Sequence, residues 1–228
     1  DPCSISKSVP VDVPIVGDAK RILSDMLNIV NPEEIAKTSE QKKCWLQQID
    51  CWRQKQVIPT PETENMNPVN VINKIYEQTK DKDPVICTEV GQHQMWTGLL
   101  YKFDKARRFV TSGGLGTMGF GFPAAVGAQV AAKDKLVINI AGDGSIQMNI
   151  QELATCVENN IPVKIFIINN GYLGMVRQWQ ERLFNEQYSE TKISGPDYVK
   201  LAEAYGATGI RVTREEDLEA SIQKAIET

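Results

Sequence analysis

Leu136-Val137-Ile138-Asn139-Ile140-Ala141-Gly142-Asp143-Gly144-Ser145, followed further on by Val163-Lys164-Ile165-Phe166-Ile167-Ile168-Asn169-Asn170, decides the fold. Each stretch is an apolar run that stops at residues suited to turns. Residues 147–159, between them, carry a helical pattern. Strand, helix and strand in that order make a parallel crossover unit, right-handed by the usual rule. Strands that are apolar along their length belong to a parallel sheet covered by helices on both faces. Ligands of such sheets sit beyond the carboxyl ends of the strands. Asp143 and Asn170 are therefore expected at neighbouring strand ends on one edge.

The same alternation extends outward in both directions. Further strands are expected at 13–16, 84–88, 108–111 and 208–212, and helices at 18–29, 32–56, 68–79, 122–132, 175–184, 197–205 and 215–226. Asn31-Pro32-Glu33-Glu34 is a helix start, with a capping amide, proline in the first turn and acids favoured by the dipole. The helix it opens is rich in Lys, Gln and Glu and reads as a surface or bridging element. Pro59, Pro61, Asn65, Asn67 and Pro68 mark a loop. The fold class is α/β, a parallel sheet with helices on both faces.

Composition narrows the function classes. With 42% hydrophobic and 24% charged residues the chain reads as a globular protein. A net charge of −4 without a basic block argues against nucleic acid. No apolar run approaches the roughly 18 residues of a membrane span. The five cysteines lack C-x-x-C spacing and point to reduced thiols in a cytoplasmic protein. The opening Asp1-Pro2-Cys3-Ser4 leads into one strand and one helix, too little for a domain, so the chain is expected to be a piece of a longer protein.

Asp143, between glycines after a buried strand, suits a magnesium ion carrying a diphosphate. Magnesium takes hard oxygens and few of them from protein, and the glycines let backbone approach a phosphate. Taken alone, Gly142-Asp143-Gly144 is an ordinary strand-to-helix turn, and Asn169-Asn170-Gly171 an ordinary loop. One crossover apart, the two make a joint metal–diphosphate site. Gly114-x-Gly116-x-x-Gly119 offers a rival, the dinucleotide fingerprint, which wants an acid roughly 20 residues on. Gln92 and His93, the sole histidine, can donate hydrogen bonds to phosphate. Met118 and Met175 are core filler or site wall, and Trp179 is core or pocket lining.

Four blocks carry a resemblance: Glu89-Val90-Gly91-Gln92-His93-Gln94-Met95-Trp96; Thr111-Ser112-Gly113-Gly114-Leu115-Gly116-Thr117-Met118-Gly119; Gly142-Asp143-Gly144-Ser145; and Asn169-Asn170-Gly171-Tyr172-Leu173-Gly174-Met175-Val176-Arg177-Gln178-Trp179-Gln180. Together they resemble the catalytic large subunit of acetohydroxyacid (acetolactate) synthases, with its thiamine diphosphate-binding fold. The resemblance implies that Asp143 and Asn170 bind magnesium through side chains and Tyr172 through its carbonyl. Gln92 and His93 would meet the diphosphate, helped by Gly144 and Ser145. Gly116 would offer a carbonyl to the aminopyrimidine, Thr117 would also bind the cofactor, and Met118 would bend it. Leu173, Gly174 and Met175 would complete the cofactor wall, and Trp179 would line the substrate entrance.

The same resemblance implies a division into residues 1–30, the end of a central FAD-associated domain; 31–66, a helical linker; and 67–228, the thiamine diphosphate domain. Asp18 and Ala19 would lie where FAD rests in the longer protein. The implied reaction joins two pyruvates, or pyruvate and 2-ketobutyrate, with loss of carbon dioxide, in branched-chain amino-acid biosynthesis. A homodimer or tetramer and a small regulatory subunit are the implied partners. The activating glutamate belongs to the family's N-terminal domain, so this chain alone is expected to be inactive. Alternatives are another thiamine diphosphate-dependent decarboxylase, oxidase or carboligase, and an NAD(P)-binding module.

Overall fold

The computed structural model describes residues 2–55 and 66–228. The loop residues Pro59, Pro61 and Asn65, and Gln56 at the end of the second expected helix, lie outside the described residues. The chain divides into two units, Asp1–Pro59 and Thr60–Thr228.

The first unit is helical: a single 3-10 turn at Pro2–Ser4, then α1 (Ala19–Ile29) and α2 (Pro32–Lys55). Asp18, in extended conformation, caps α1 by accepting from Arg21 N at 2.9 Å. Asn31 accepts from Glu33 N at 2.9 Å at the start of α2. Neither helix buries a residue, and on α2 Trp45 and Trp52 pack edge to face with centroids 5.3 Å apart. The strand expected at 13–16 does not form. Val13, Ile15 and Val16 are exposed, and no strand of the described sheet pairs with them; a β-pattern without a partner for its hydrogen bonds stays coil.

In the second unit α3 (Pro68–Thr79) leads to β1 (Val85–Thr88), α4 (Gln92–Leu100), β2 (Phe109–Thr111), α5 (Gly121–Ala131) and β3 (Val137–Gly142). A short turn α6 (Asp143–Ile146), α7 (Glu152–Glu158), β4 (Lys164–Ile168), α8 (Gly174–Leu183), α9 (Tyr198–Ala204) and α10 (Leu218–Glu227) follow. The strands of the sheet all pair in parallel, in the order β2-β1-β3-β4. Thr88 lies beside Thr111 and Ile140, and Gly142 beside Ile168. The carboxyl ends of all four strands therefore share one edge.

Alternate residues of β1 and β3 face opposite helix layers. Ile86, Ile138 and Ile140 pack with Val71 and Ile75 of α3 and Leu218 and Ile222 of α10. Val85, Cys87 and Val137 meet Ala125 of α5, and Ala141 meets Phe122, Leu153 and Cys156. This two-sided cover is why both strands are buried along their whole length. Asn139 breaks the apolar run of β3; it is fully buried and neither side-chain polar atom has a partner. At the opposite edge Asp83 accepts from Arg108 Nε at 2.8 Å and Nη2 at 2.9 Å, and from Lys135 Nζ at 2.8 Å. These three residues precede β1, β2 and β3, so one carboxylate ties three strand beginnings.

Two expectations of this unit fail. Of the helix expected at 147–159 only α7 (Glu152–Glu158) forms; residues 147–151 are a turn in which Asn149 donates its side chain to Gly119 O. Residues 208–212 make no strand. Thr208, Ile210 and Val212 instead line a groove of about 990 Å3 that has β4 as its other wall. The alternation is satisfied by side chains facing the groove, while the backbone forms no ladder with β4 across it.

Candidate functional site

The strand ends deliver the site residues in turn. β3 stops at Gly142, and Asp143 follows, 3% exposed. Its Oδ2 accepts from Gly171 N at 2.6 Å, across the gap to the loop after β4, and its Oδ1 accepts from Gly144 N at 3.0 Å. The Asp143 carbonyl accepts from Gln147 Nε2 at 2.9 Å and from the Tyr198 hydroxyl at 2.8 Å. Burial pushes the carboxyl pKa up, opposed by the surrounding N–H groups; no cation contributes.

After β4, Asn170 Oδ1 accepts from Tyr172 N at 3.0 Å, an Asx turn around Gly171 at φ +70°. Residues 171–173 are then strapped down: Leu173 N donates to Thr191 O at 2.8 Å and Ile193 N to Gly171 O at 2.9 Å. The Arg177 guanidinium lies 4.3 Å from the Tyr172 ring centroid and 5.2 Å from that of Tyr188.

Beyond β1, His93 lies in the first turn of α4 and is 5% exposed. Burial pushes its pKa down to about 4, and its Nε2 is buried with no hydrogen-bond partner. A Cβ on Gly142 would stand 2.8 Å from His93 Nδ1, so glycine is what lets the imidazole lie against the end of β3. Gln92 Nε2 donates to Gln178 Oε1 at 2.8 Å and joins α4 to α8.

These parts converge on an open cleft of about 70 Å3. Gln92 and His93 reach it from α4, Met118 from the glycine-rich turn, and Asp143, Gly144 and Ser145 from α6. Asn170, Tyr172, Leu173, Gly174 and Met175 reach it from beyond β4. Gly116 and Thr117 stand on the exposed loop beside Met118, and Trp179, 54% exposed, projects from α8; none of the three lines the cleft. Sequence reading passed over Glu89, Gln147, Asn149 and Tyr198, all of which brace this edge. Glu89 carried a usable signal, an acid directly after a buried strand. Tyr198 carried none, because its bond to Asp143 spans 55 residues.

The dinucleotide reading needs a free helix start behind the glycines for a pyrophosphate. The start of α5 is occupied instead: Glu89 accepts from Gly119 N at 2.7 Å and Phe122 N at 2.8 Å. Leu115, inside the fingerprint, is 94% exposed.

Residues 89–228 match the family described as thiamine pyrophosphate enzyme, C-terminal TPP binding domain. This chain belongs to that family. The match thus runs from the residue after β1 to α10 and includes every residue that lines the cleft. Acetolactate synthase isozyme 3 large subunit of Escherichia coli K12 is 44% identical over 229 residues, covering 100% of this chain and 40% of the relative. The acetolactate synthase large subunit of Haemophilus influenzae is 44% identical over 227 residues, 99% of this chain and 39% of the relative. The thiamine diphosphate-dependent 4-hydroxybenzoylformate decarboxylase of Rhodococcus jostii RHA1 shares the fold with a TM-score of 0.68 at 28% identity, over 75% of this chain and 32% of that one. The chain spans about 40% of the length of the synthases it matches.

Proposed function

We propose that this chain forms the cofactor-binding part of an acetolactate synthase, which joins two pyruvates, or pyruvate and 2-ketobutyrate, with release of carbon dioxide in branched-chain amino-acid biosynthesis. The observation that carries the reading is the 2.6 Å bond from Gly171 N to Asp143 Oδ2, which draws the loops after β3 and β4 to one point. Synthase relatives at 44% identity supply the reaction class.

The residues present fit magnesium and a diphosphate. A carboxylate 3% exposed without a cation is costly to bury, and a divalent ion supplies the missing charge. Asp143, the Asn170 amide oxygen and the Tyr172 carbonyl, with phosphate oxygens, form the hard donor set magnesium takes. His93 Nε2, without a partner, is available to a phosphate oxygen, as are Gln92, Gly144 and Ser145. Bound thiamine diphosphate supplies the carbanion chemistry by which a 2-oxoacid loses carbon dioxide. The chain's own residues orient it: Gly116, Thr117 and Met118 toward the aminopyrimidine, Leu173, Gly174 and Met175 as a wall. In this reading Trp179 favours a 2-ketobutyrate acceptor at the entrance.

The longer protein implied by the relatives would add the activating glutamate, from a partner subunit of a homodimer or tetramer, together with FAD and a small regulatory subunit. Residues 1–30 are then the end of the FAD-associated domain, 31–66 a linker and 67–228 the cofactor domain. Free thiols at Cys44, Cys51, Cys87 and Cys156 fit the reducing cytoplasm.

Thermal unfolding with added ligand tests the reading. Thiamine diphosphate with magnesium raises the midpoint and NAD does not; at 100-fold excess over Kd the gain is about 2.7 kcal/mol. Asp143→Ala abolishes the magnesium-dependent part. Stabilisation by NAD alone would overturn the assignment. Pyruvate turnover by the 228 residues alone, at the rate of a complete synthase, would refute the missing glutamate.

A further inference from the structure

Glu89 directly follows β1 with its side chain fully buried, and no lysine or arginine is among the groups that set its pKa. Both carboxylate oxygens are committed to backbone. Oε2 accepts from Gly119 N at 2.7 Å, Oε1 accepts from Phe122 N at 2.8 Å, and Gly121 N–H adds a third bond. On the other flank Asn149 Nδ2 donates to Gly119 O at 2.7 Å. Gly119 sits at φ +88°, and a Cβ there would stand 2.9 Å from Met148 Cβ. The Met118–Gly119–Phe120 backbone is therefore gripped from two sides.

The start of α5 does not explain the carboxylate by itself. Phe120, at the N-cap, offers the helix no side-chain bond. A serine or asparagine there would meet the same orphan N–H groups without a buried charge. What the carboxylate adds is a tie between the end of β1 and the one residue of this turn that enters the cleft, Met118. Met118 Cε lies 3.8 Å from the point a Cβ on Gly144 would take. Three residues beyond Glu89, α4 begins with Gln92 and His93.

We propose that Glu89 is a positioning residue: gripped between the end of β1 and the start of α5, it holds Met118 against the ring portion of the cofactor, while the diphosphate end is held independently. The inference rests on the proposed thiamine diphosphate site. Glu89→Gln keeps the size of the side chain but turns an NH2 group toward a backbone N–H, which displaces the turn.

The test compares dissociation constants for thiamine diphosphate and inorganic pyrophosphate, each with magnesium, in wild type, Glu89→Gln, Met118→Ala and the double variant. Glu89→Gln weakens thiamine diphosphate by about tenfold and leaves pyrophosphate within about twofold. The double variant binds thiamine diphosphate no more weakly than Met118→Ala, since coupled residues are not additive. Equal loss for both ligands, or additive losses in the double variant, overturns the positioning role. Wild type that binds neither ligand overturns the proposed site and the inference with it. Should Glu89→Gln not fold, Asn149→Ala releases the same backbone from its other side, and the same split is expected.

Discussion

At the residue scale, His93 makes stability depend on pH. Burial holds its folded pKa at about 4, against roughly 6.5 in the unfolded chain. Between those values the unfolded state binds the extra proton, so the contribution is present above the unfolded pKa and lost as pH falls toward the folded one. The full effect is on the order of 3 kcal/mol. Chemical denaturation of wild type and His93→Gln at pH 7 and pH 4.5 should show a smaller loss in the variant. The raised carboxyls of Glu89 and Asp143 act in the opposite sense, and the comparison cancels them. Asp83 acts in the same sense as His93: its three cations, Arg108 first, hold its carboxyl well below the usual range. Its contribution is present above the unfolded carboxylate pKa and lost as pH falls through the folded one. Asp83→Asn should lower the denaturation midpoint at pH 7 and flatten its decline in acid. The role of His93 as a site candidate was legible in its motif. Its burial and the Asp83 clamp were not, because Arg108 and Lys135 lie 25 and 52 residues from Asp83.

At the element scale, helix α5 crosses the end of β1 with no room to spare. A Cβ on Gly121 would stand 2.5 Å from Thr88 C and 2.6 Å from Thr88 O. Gly121→Ala should therefore cost about 1–3 kcal/mol by overpacking, although alanine favours helices; a variant of unchanged stability would show that the helix can back away. The elements that sequence read well are those with one dominant signal: α3 with its Asn67 cap, β1, β3 and β4 with largely apolar runs. The expected helix at 147–159 failed in its first part because the periodicity continues across a turn where Asn149 bonds to Gly119, 30 residues away. The expected strand at 208–212 failed for a related reason. Alternation reports which side chains want cover, not whether a partner strand is there to pair.

At the scale of the whole molecule, sequence foretold the decisive arrangement, a parallel sheet whose strand ends gather one site. The order β2-β1-β3-β4 was beyond it, since pairing between strands distant in sequence leaves no local mark. That order places β1 and β3 in the middle, each bonded on two sides, and leaves one side of β4 facing the groove of about 990 Å3. Deuterium uptake should grade accordingly. Amides of β1 and β3 should exchange last, through global unfolding alone. Alternate amides of β4, those aimed at the groove, should exchange within the earliest time points, without any opening of the sheet.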